Sequence, residues 1–268
     1  MPTAPLILLP PSEGKASGGN GAALDLGSIS FPWLNPTRER MAGALMKLSG
    51  RPRVSRKLLG VKGPALDQAN TENASLESSA TMRAIDRYTG VMYSAIEYQS
   101  LDDAARESFA QNVIIMSGLF GAVRPFNMIP AYKLKMGVKL IRNKTCAAVW
   151  KPLISKSFAS EANYGVIWDL LPGEHSAAWD PANVPHETRF TVKFAERAAN
   201  GEVKTVTHWS KLLKGALVRH LVENITEAGS PQSALELAAD FSHPEGFKLD
   251  PTLTSEVDHA TELVFLNE

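Results

Sequence analysis

The stretch LILLPPSEGK, residues 6–15, indicates how the fold of this chain begins. Four apolar residues predict a buried strand over 6–9, and two prolines end it because proline cannot continue a ladder of backbone hydrogen bonds. The residues that follow the two prolines are Ser12, Glu13, Gly14 and Lys15. In open α/β sheets ligands bind at the carboxyl ends of the strands, so these four residues are predicted to line a pocket. An ordinary polar turn is the alternative interpretation.

The same stretch is similar to a nucleotide phosphate-binding loop, but it does not satisfy that motif. The motif needs a glycine five places before the Gly-Lys pair and a hydroxyl directly after it. Leu9 and Ala16 occupy those two positions. The pattern therefore excludes a P-loop NTPase.

The composition predicts a soluble globular protein. The chain has 268 residues, of which 44% are hydrophobic and 21% charged, within the usual range for folded domains. A single cysteine, Cys146, excludes a disulfide framework and fits a reducing compartment. The N-terminal apolar stretch lacks the basic region of a signal peptide, and the apolar run 113–123 is too short for a bilayer. We expect a cytoplasmic protein with no membrane partner.

The net charge is zero, but the charges are segregated along the chain. Residues 108–160 contain no acidic side chain, and a second basic cluster lies within 51–62. After Arg219 the chain is mostly acidic. Segregated charge fits a polyanion-binding face, and it equally fits two opposite surfaces that pair within the fold.

Periodicity predicts an α+β or irregular mixed α/β fold as a single domain over 1–268, since no repeat or linker divides the chain. Strands are predicted over 112–116, 164–170 and 262–266, and alternating segments 189–197 and 203–209 around Asn200-Gly201 predict a hairpin. Helices are predicted over 35–48, 101–110, 147–159 and 210–224. Ser210 is the predicted cap of the last helix.

The last predicted helix places Lys211, Lys214 and Arg219 on one face, with Gly215 between them. Glycine inside a helix costs about 1 kcal/mol relative to alanine, so another group should need the space. A bound phosphate or carboxylate would need it, and so would a close-packed neighbouring backbone. A solvated basic face is the third interpretation. We favour an anion site, which the helix dipole would support.

Residues 58–66, LLGVKGPAL, are similar to the turn of a helix-hairpin-helix DNA-binding element, predicted at about 40–70. In such an element the backbone N–H groups of the turn hold a phosphate without reading the sequence. A plain connection between two helices is the alternative. The candidate DNA-binding residues are Arg53, Arg56, Lys57, Gly60, Lys62 and Gly63.

Further segments place hydroxyls beside glycines and cations, a combination that fits an anionic-ligand pocket. The candidate catalytic residues are Glu13 as general acid or base, Lys15 as an anion-holding cation, and Tyr88 or Ser117 to orient the substrate. The candidate ligand-binding residues are Ser12, Gly14, Thr89, Gly90, Gly118, Arg124, Tyr132, Lys133, Lys211, Lys214 and Arg219. No metal-site spacing or Gly-x-Ser-x-Gly elbow occurs, so no metal or cofactor is predicted.

Five ordered blocks give the chain a resemblance to the YaaA peroxide-stress protein family. They are LLPPSEGK (8–15), RYTGVMY (87–93), SGLFGAVRPFNMIPAYKLKMG (117–137), a segment around Trp150, and HWSKLLKGALVR (208–219). The resemblance implies a cytoplasmic factor that limits oxidative damage, is linked to low free iron, and binds DNA through a helix-hairpin-helix in a mixed α/β fold.

Two classes of function remain open. One is a non-enzymatic DNA-associated stress protein, which the resemblance and the basic tracts favour. The other is an enzyme acting on a phosphorylated or nucleotide-like small molecule in a pocket around residues 12–15.

Overall fold

A mixed, mostly parallel sheet surrounds the first strand of the chain. The computed structural model describes residues 4–161, 163–207, 209–225, 230–257 and 259–268. Its strands are β1 (Ala4–Leu9), β2 (Met82–Arg83), β3 (Val113–Ser117), β4 (Gly121–Val123), β5 (Met128–Ile129), β6 (Tyr164–Asp169), β7 (His186–Arg197), β8 (Val203–Thr205), β9 (Lys248–Leu249), β10 (Ser255–Val257) and β11 (Ala260–Asn267).

Helices cover this sheet. They are α1 (Asn35–Ser49), α2 (Pro52–Leu59), α3 (Pro64–Ala74), α4 (Ala84–Arg87), α5 (Val91–Ile96), α6 (Asp103–Asn112), α7 (Cys146–Glu161), α8 (Gly173–Ser176), α9 (Ser210–Asn224) and α10 (Pro231–Asp240). Together with the sheet they bury one main hydrophobic core, which confirms the predicted mixed α/β fold. None of the helices in the described ranges is long and apolar enough to cross a membrane.

The strand β1 occupies the middle of the sheet. The strand order is β10-β11-β7-β6-β1-β3-β4, and β1 is parallel to both β3 and β6. Its apolar residues 6–9 are buried, as expected for a parallel strand with both faces covered. Because β1, β3 and β6 run in the same direction, the segments that follow Leu9, Ser117 and Asp169 leave the sheet at one edge. The small β2–β5 pair forms a separate sheet.

Most predicted elements are confirmed, with two differences: β8 ends at Thr205 and not at 209, and the predicted cap of α9 is wrong. The alternating segments pair as the antiparallel β7–β8 hairpin, with Gly201 at a φ of 81° in its turn. The helix α9 covers the predicted residues, but Ser210 is its first helical residue and Trp209 precedes it. The side chain of this N-cap residue makes no capping hydrogen bond. The cap prediction fails because Ser210 already lies inside the helix.

Gly215 in α9 allows two helices to pack closely. A Cβ atom at this position would lie 2.3 Å from the carbonyl oxygen of Met92 and 2.8 Å from the Cβ of Ala95. Both neighbours belong to α5. Of the explanations left open by the sequence, the close-packed backbone therefore accounts for the glycine, and the preference for a bound anion as its cause is wrong.

The helices α1, α2 and α3 pack against one another, and α1 contacts β4. The buried guanidinium of Arg38 in α1 donates hydrogen bonds to the carbonyl oxygens of Phe120 at 2.9 Å and Ala122 at 2.7 Å. This anchors α1 to the strand. The helix pair α2–α3 spans 52–74 rather than the predicted 40–70, because residues 35–49 form a separate helix. Residues 60–63 connect the pair, with Gly60 and Gly63 at φ values of 68° and 57°.

Candidate functional site

The loop after β1 packs directly on residues 87–90. Lys15 and Tyr88 form an isolated antiparallel bridge. The N–H of Ala16 donates to the carbonyl oxygen of Arg87 at 2.9 Å, and the N–H of Thr89 donates to that of Gly14 at 3.1 Å. Backbone pairing therefore joins the first and second motifs of the sequence.

Two glycines make this pairing sterically possible. A Cβ at Gly14 would lie 2.9 Å from Oγ1 of Thr89, and one at Gly90 would lie 2.8 Å from Oγ of Ser12. Gly90 also has a φ of 116°, a conformation that side-chain-bearing residues rarely adopt. These candidate ligand-binding glycines thus have a role in loop packing.

The ammonium of Lys15 lies between two tyrosine rings. Its Nζ is 4.2 Å from the ring centroid of Tyr132 and 5.4 Å from that of Tyr88, and it donates a hydrogen bond to the carbonyl oxygen of Ser12 at 3.1 Å. The tyrosine faces favour the charged form through cation–π attraction. Whether Lys15 is charged depends on the balance with desolvation.

Desolvation prevails in that balance. Burial is the largest cause that lowers the pKa of Lys15, to about 7, and the positive charges of Lys133 and Arg87 act in the same direction. The carboxylates of Glu72 and Glu13 oppose the shift. A large share of Lys15 is therefore a neutral amine near pH 7, which makes it a candidate nucleophile or base.

A buried chain of hydroxyls lies beside Lys15. The hydroxyls of Tyr88 and Tyr132 are 2.8 Å apart, and that of Tyr132 is 2.7 Å from Oγ of Ser117. The Ser117 Oγ also accepts the N–H of Phe120 at 2.9 Å. Burial raises the pKa of Tyr132 to about 12 and that of Tyr88 well above its usual value. Both tyrosines keep their protons at neutral pH and serve as hydrogen-bond donors.

Glu13 is held by two lysines at the outer side of the loop. Its carboxylate is 2.9 Å from Nζ of Lys135 and 3.1 Å from Nζ of Lys133. The hydrogen bond from Lys135, followed by that from Lys133, lowers the pKa of Glu13. Glu13 is therefore ionised at neutral pH and can accept a proton. Of the lysines that the sequence predicted as ligand-binding residues, Lys133 pairs with Glu13, and Lys211 and Lys214 do not appear in the ion pairs of the described residues with Glu13.

A cavity of about 280 Å³ opens beside this cluster. The residues that line it include Glu13, Lys15, Val61, Ala65, Glu72, Tyr132 and Lys133. Val61 lies in the connection between α2 and α3, and Ala65 lies in the first turn of α3. The candidate pocket and the candidate DNA-binding element are thus walls of the same cavity.

Other predicted site residues have their contacts elsewhere. Lys214 donates to the carbonyl oxygen of Leu170 at 3.1 Å, Arg219 pairs with Glu97 and Glu223, and Arg124 pairs with Glu161. Lys211 is exposed. Gly118 packs tightly, since a Cβ there would lie 2.8 Å from the carbonyl oxygen of Leu134.

Sequence reasoning did not select two residues that contact the loops around the pocket. Lys135 lies two residues after Lys133, and both lysines pair with Glu13. Side chains two positions apart in an extended segment point to the same side, so this spacing was the available signal in the sequence. Arg87 is buried and donates to the carbonyl oxygens of Gly18 at 2.7 Å and Ile129 at 3.2 Å. Its neighbour Tyr88 was selected, but nothing in the pattern marked Arg87 as buried.

The connection between α2 and α3 presents free donors at the surface. Among the hydrogen bonds of the described residues, none uses the backbone N–H groups of Val61, Lys62 or Gly63. An added Cβ at Gly60 or Gly63 would meet nothing within 4 Å. The side chains of Arg53, Arg56, Lys57 and Lys62 are all exposed.

The part of the chain that the structure describes contains no group of three or more histidine, cysteine or acidic side chains arranged to hold a metal. Asp258, which the sequence places beside His259, lies outside the described residues.

Comparison with known proteins gives a consistent result. The sequence pattern of the family described as "Peroxide stress protein YaaA" matches residues 6–252. A UPF0246 protein of Streptomyces coelicolor is 35% identical over 239 residues, which cover 89% of this chain and 90% of that protein. A UPF0246 protein of Corynebacterium efficiens is 36% identical over 237 residues, covering 87% of this chain and 91% of that protein.

Proposed function

The chain belongs to the peroxide stress protein YaaA family, and we propose that it acts in that response by binding duplex DNA through residues 52–74, a helix-hairpin-helix. Binding is to the phosphate backbone and tolerates any sequence. It places the protein where oxidative damage to DNA occurs. The link to low free iron comes from the family resemblance alone.

One observation carries this proposal: three consecutive N–H groups, of Val61, Lys62 and Gly63, donate to no described residue. Left-handed glycines at 60 and 63 flank them without any neighbour that would block access. Successive free N–H groups in such a turn form a concave anion site. A phosphate oxygen is an acceptor of suitable charge for it.

The surrounding side chains supply the positive field. None of the ion pairs among described residues involves Arg53, Arg56, Lys57 or Lys62. No described carboxylate therefore neutralises their charges through an ion pair. Of the two interpretations of the segregated charge, this cluster supports a polyanion-binding face.

Fluorescence anisotropy with a labelled 25-base-pair duplex, in three unrelated sequences, tests the proposal. The double substitution Arg56→Glu, Lys57→Glu is expected to weaken binding at least tenfold, because both cations would contact phosphates. Lys204→Glu, Lys248→Glu is the matched control, since it reverses two exposed cations in β8 and β9. Equal affinities for wild type and the Arg56/Lys57 variant would refute DNA binding by this element.

A second candidate function is catalysis on a phosphorylated or nucleotide-like small molecule. The observation that favours it is the partly buried Lys15 amine, with Glu13, Tyr88 and Ser117 around the same loop. Glu13 would accept a proton, and Tyr88 or Ser117 would orient the substrate. A panel of nucleotides, nucleosides and sugar phosphates, turned over by wild type and not by Glu13→Gln, would support this function. Equal turnover by both proteins would remove Glu13 from the mechanism.

A further inference from the structure

We propose that Lys15 forms an imine with the open-chain aldehyde of a deoxyribose phosphate, and that this sugar is an abasic residue of DNA held against the α2–α3 connection. The identity of the sugar's source rests on the DNA binding proposed above. The imine chemistry itself rests on the surroundings of Lys15.

The cavity brings an amine and the candidate DNA-binding element together. Lys15, Val61 and Ala65 all line it. Val61 is one of the three residues with a free N–H in the turn. DNA whose phosphate occupies the turn therefore lies next to this cavity. A nucleotide without a base needs less room than an intact nucleotide to enter it.

The amine is also in the state that imine formation requires. Only a neutral amine has the lone pair that attacks a carbonyl, and desolvation is a recognised means of activating lysine for this purpose. Burial lowers the pKa of Lys15 to about 7. The charged groups that face it are Glu13, Glu72, Arg87 and Lys133, and the rings of Tyr88 and Tyr132 flank it.

The reaction needs no oxidant or reductant. The Nζ lone pair forms a bond to the aldehyde carbon, the carbonyl π electrons move to oxygen, and one N–H proton transfers to that oxygen to give a carbinolamine. The oxygen then takes up a proton from solvent and leaves as water while nitrogen forms the second bond to carbon. The product is an iminium ion, which loses its N–H proton to give the imine.

Neighbouring charges fit a phosphorylated sugar. Lys133 lines the same cavity as Lys15, and Lys135 is its neighbour on Glu13. The carboxylates of Glu13 and Glu72 also line this cavity, so a phosphate that enters would pair with Lys133 in place of Glu13. The carboxylate of Glu13 lines the same cavity as Lys15, and we assign it as the acceptor of the proton released on imine formation.

The first arm of the test uses free 2-deoxyribose 5-phosphate with sodium cyanoborohydride, which reduces an imine to a stable secondary amine. At pH 7 we expect one adduct per chain, located by peptide mass mapping at Lys15. Lys15→Met should lose it, and Lys15→Arg provides a second variant that retains the positive charge. The exposed Lys139→Met is the matched control and should keep the adduct.

The second arm uses a 25-base-pair duplex with one central abasic site and the same reductant. Denaturing gels should show a covalent protein–DNA band that maps to Lys15. The Arg56→Glu, Lys57→Glu variant should lose at least nine-tenths of this band and still form the free-sugar adduct. That pair of results would support both the amine chemistry and its DNA source.

Other outcomes separate the two proposals. Tight binding to intact duplex with no adduct at Lys15 in either arm would overturn the imine and leave DNA binding intact. An adduct at Lys15 with the free sugar alone would support the amine chemistry and overturn DNA as the source of the aldehyde. Adducts spread over exposed lysines, unchanged in Lys15→Met, would overturn the inference for both sources.

Discussion

The Nζ atom of Lys15 lies 4.2 Å from the ring centroid of Tyr132, although 117 positions separate the two residues in the sequence. The bridge between Lys15 and Tyr88 holds the amine there, and the Tyr88–Tyr132 hydroxyl contact holds the ring. An amine in this position loses contacts with water and gains contacts with the faces of aromatic rings. The predictions below follow from this arrangement and from the packing around it.

The stability contributed through Lys15 should rise with pH. Its folded-state pKa of about 7 lies below the ordinary lysine value of 10.5, so between these pH values the unfolded chain binds one more proton than the folded chain. The free energy of unfolding of wild type, relative to Lys15→Met, should therefore increase by up to about 1.4 kcal/mol per pH unit. Urea unfolding at pH 7, 8 and 9 measures it. Parallel pH profiles for the two proteins would contradict the prediction, and Lys139→Met should follow wild type.

Gly215→Ala should destabilise the protein by about 1–3 kcal/mol through overpacking. The new methyl group would lie 2.3 Å from the Met92 carbonyl oxygen and force α9 away from α5. Gly43→Ala in α1 is the control, because a Cβ there meets nothing within 4 Å. It should stabilise by about 0.5–1 kcal/mol through helix propensity. Chemical unfolding midpoints compare them, and similar shifts for both variants would contradict the packing account.

Arg189→Met should lower the free energy of unfolding by about 3–5 kcal/mol. The substitution removes the guanidinium that lies 3.1 Å from the buried carboxylate of Asp169. Burial raises the pKa of Asp169, while its contacts with Arg189 lower it. Without Arg189 the folded-state pKa should rise further, so the variant should lose more stability as pH increases from 4 to 7.

Lys204 forms an exposed ion pair with Glu202. The control substitution Lys204→Met should therefore lower the free energy of unfolding by less than about 1 kcal/mol. Thermal unfolding across that pH range measures both variants. A loss for Arg189→Met that does not grow with pH would be the contrary result.

Tyr132→Phe should cost about 1–3 kcal/mol while keeping the ring against Lys15. The substitution leaves the buried hydroxyls of Tyr88 and Ser117 without the partner at 2.8 Å and 2.7 Å. Tyr93→Phe removes a single hydrogen bond, to the carbonyl oxygen of Pro10 at 2.9 Å, and should cost less. Equal losses in denaturant titrations would show that the hydroxyl chain adds nothing beyond one bond.

The sequence predicted those strands and turns that depend on residues close together in the chain. The apolar run 6–9 closed by Pro10-Pro11 predicted β1 and its exit, and Asn200-Gly201 between alternating segments predicted the β7–β8 hairpin. Residues 12–15, 88–90 and 132–133 were also selected as pocket residues by their chemistry. Because β1 and β3 are parallel, residues 12–15 and Ser117 lie at the same edge of the sheet.

What the sequence could not predict depends on contacts between distant segments. A glycine at position 215 is compatible with a bound ligand and with a closely packed helix. The position of the Met92 carbonyl oxygen decides for the helix. Lys214 was predicted as a ligand-binding residue, but in α9 it donates to the Leu170 carbonyl oxygen, while Lys133 and Lys135 reach the Glu13 carboxylate. Neither arrangement follows from residue spacing.

The most direct test of DNA backbone binding by residues 52–74 is the salt dependence of duplex affinity. Each phosphate contact contributes about 0.9 to the slope of log affinity against log salt concentration. The proposal predicts that Arg56→Glu, Lys57→Glu lowers the magnitude of that slope by about 2 relative to wild type, while Lys204→Glu, Lys248→Glu leaves it unchanged. Identical slopes for all three proteins would contradict it.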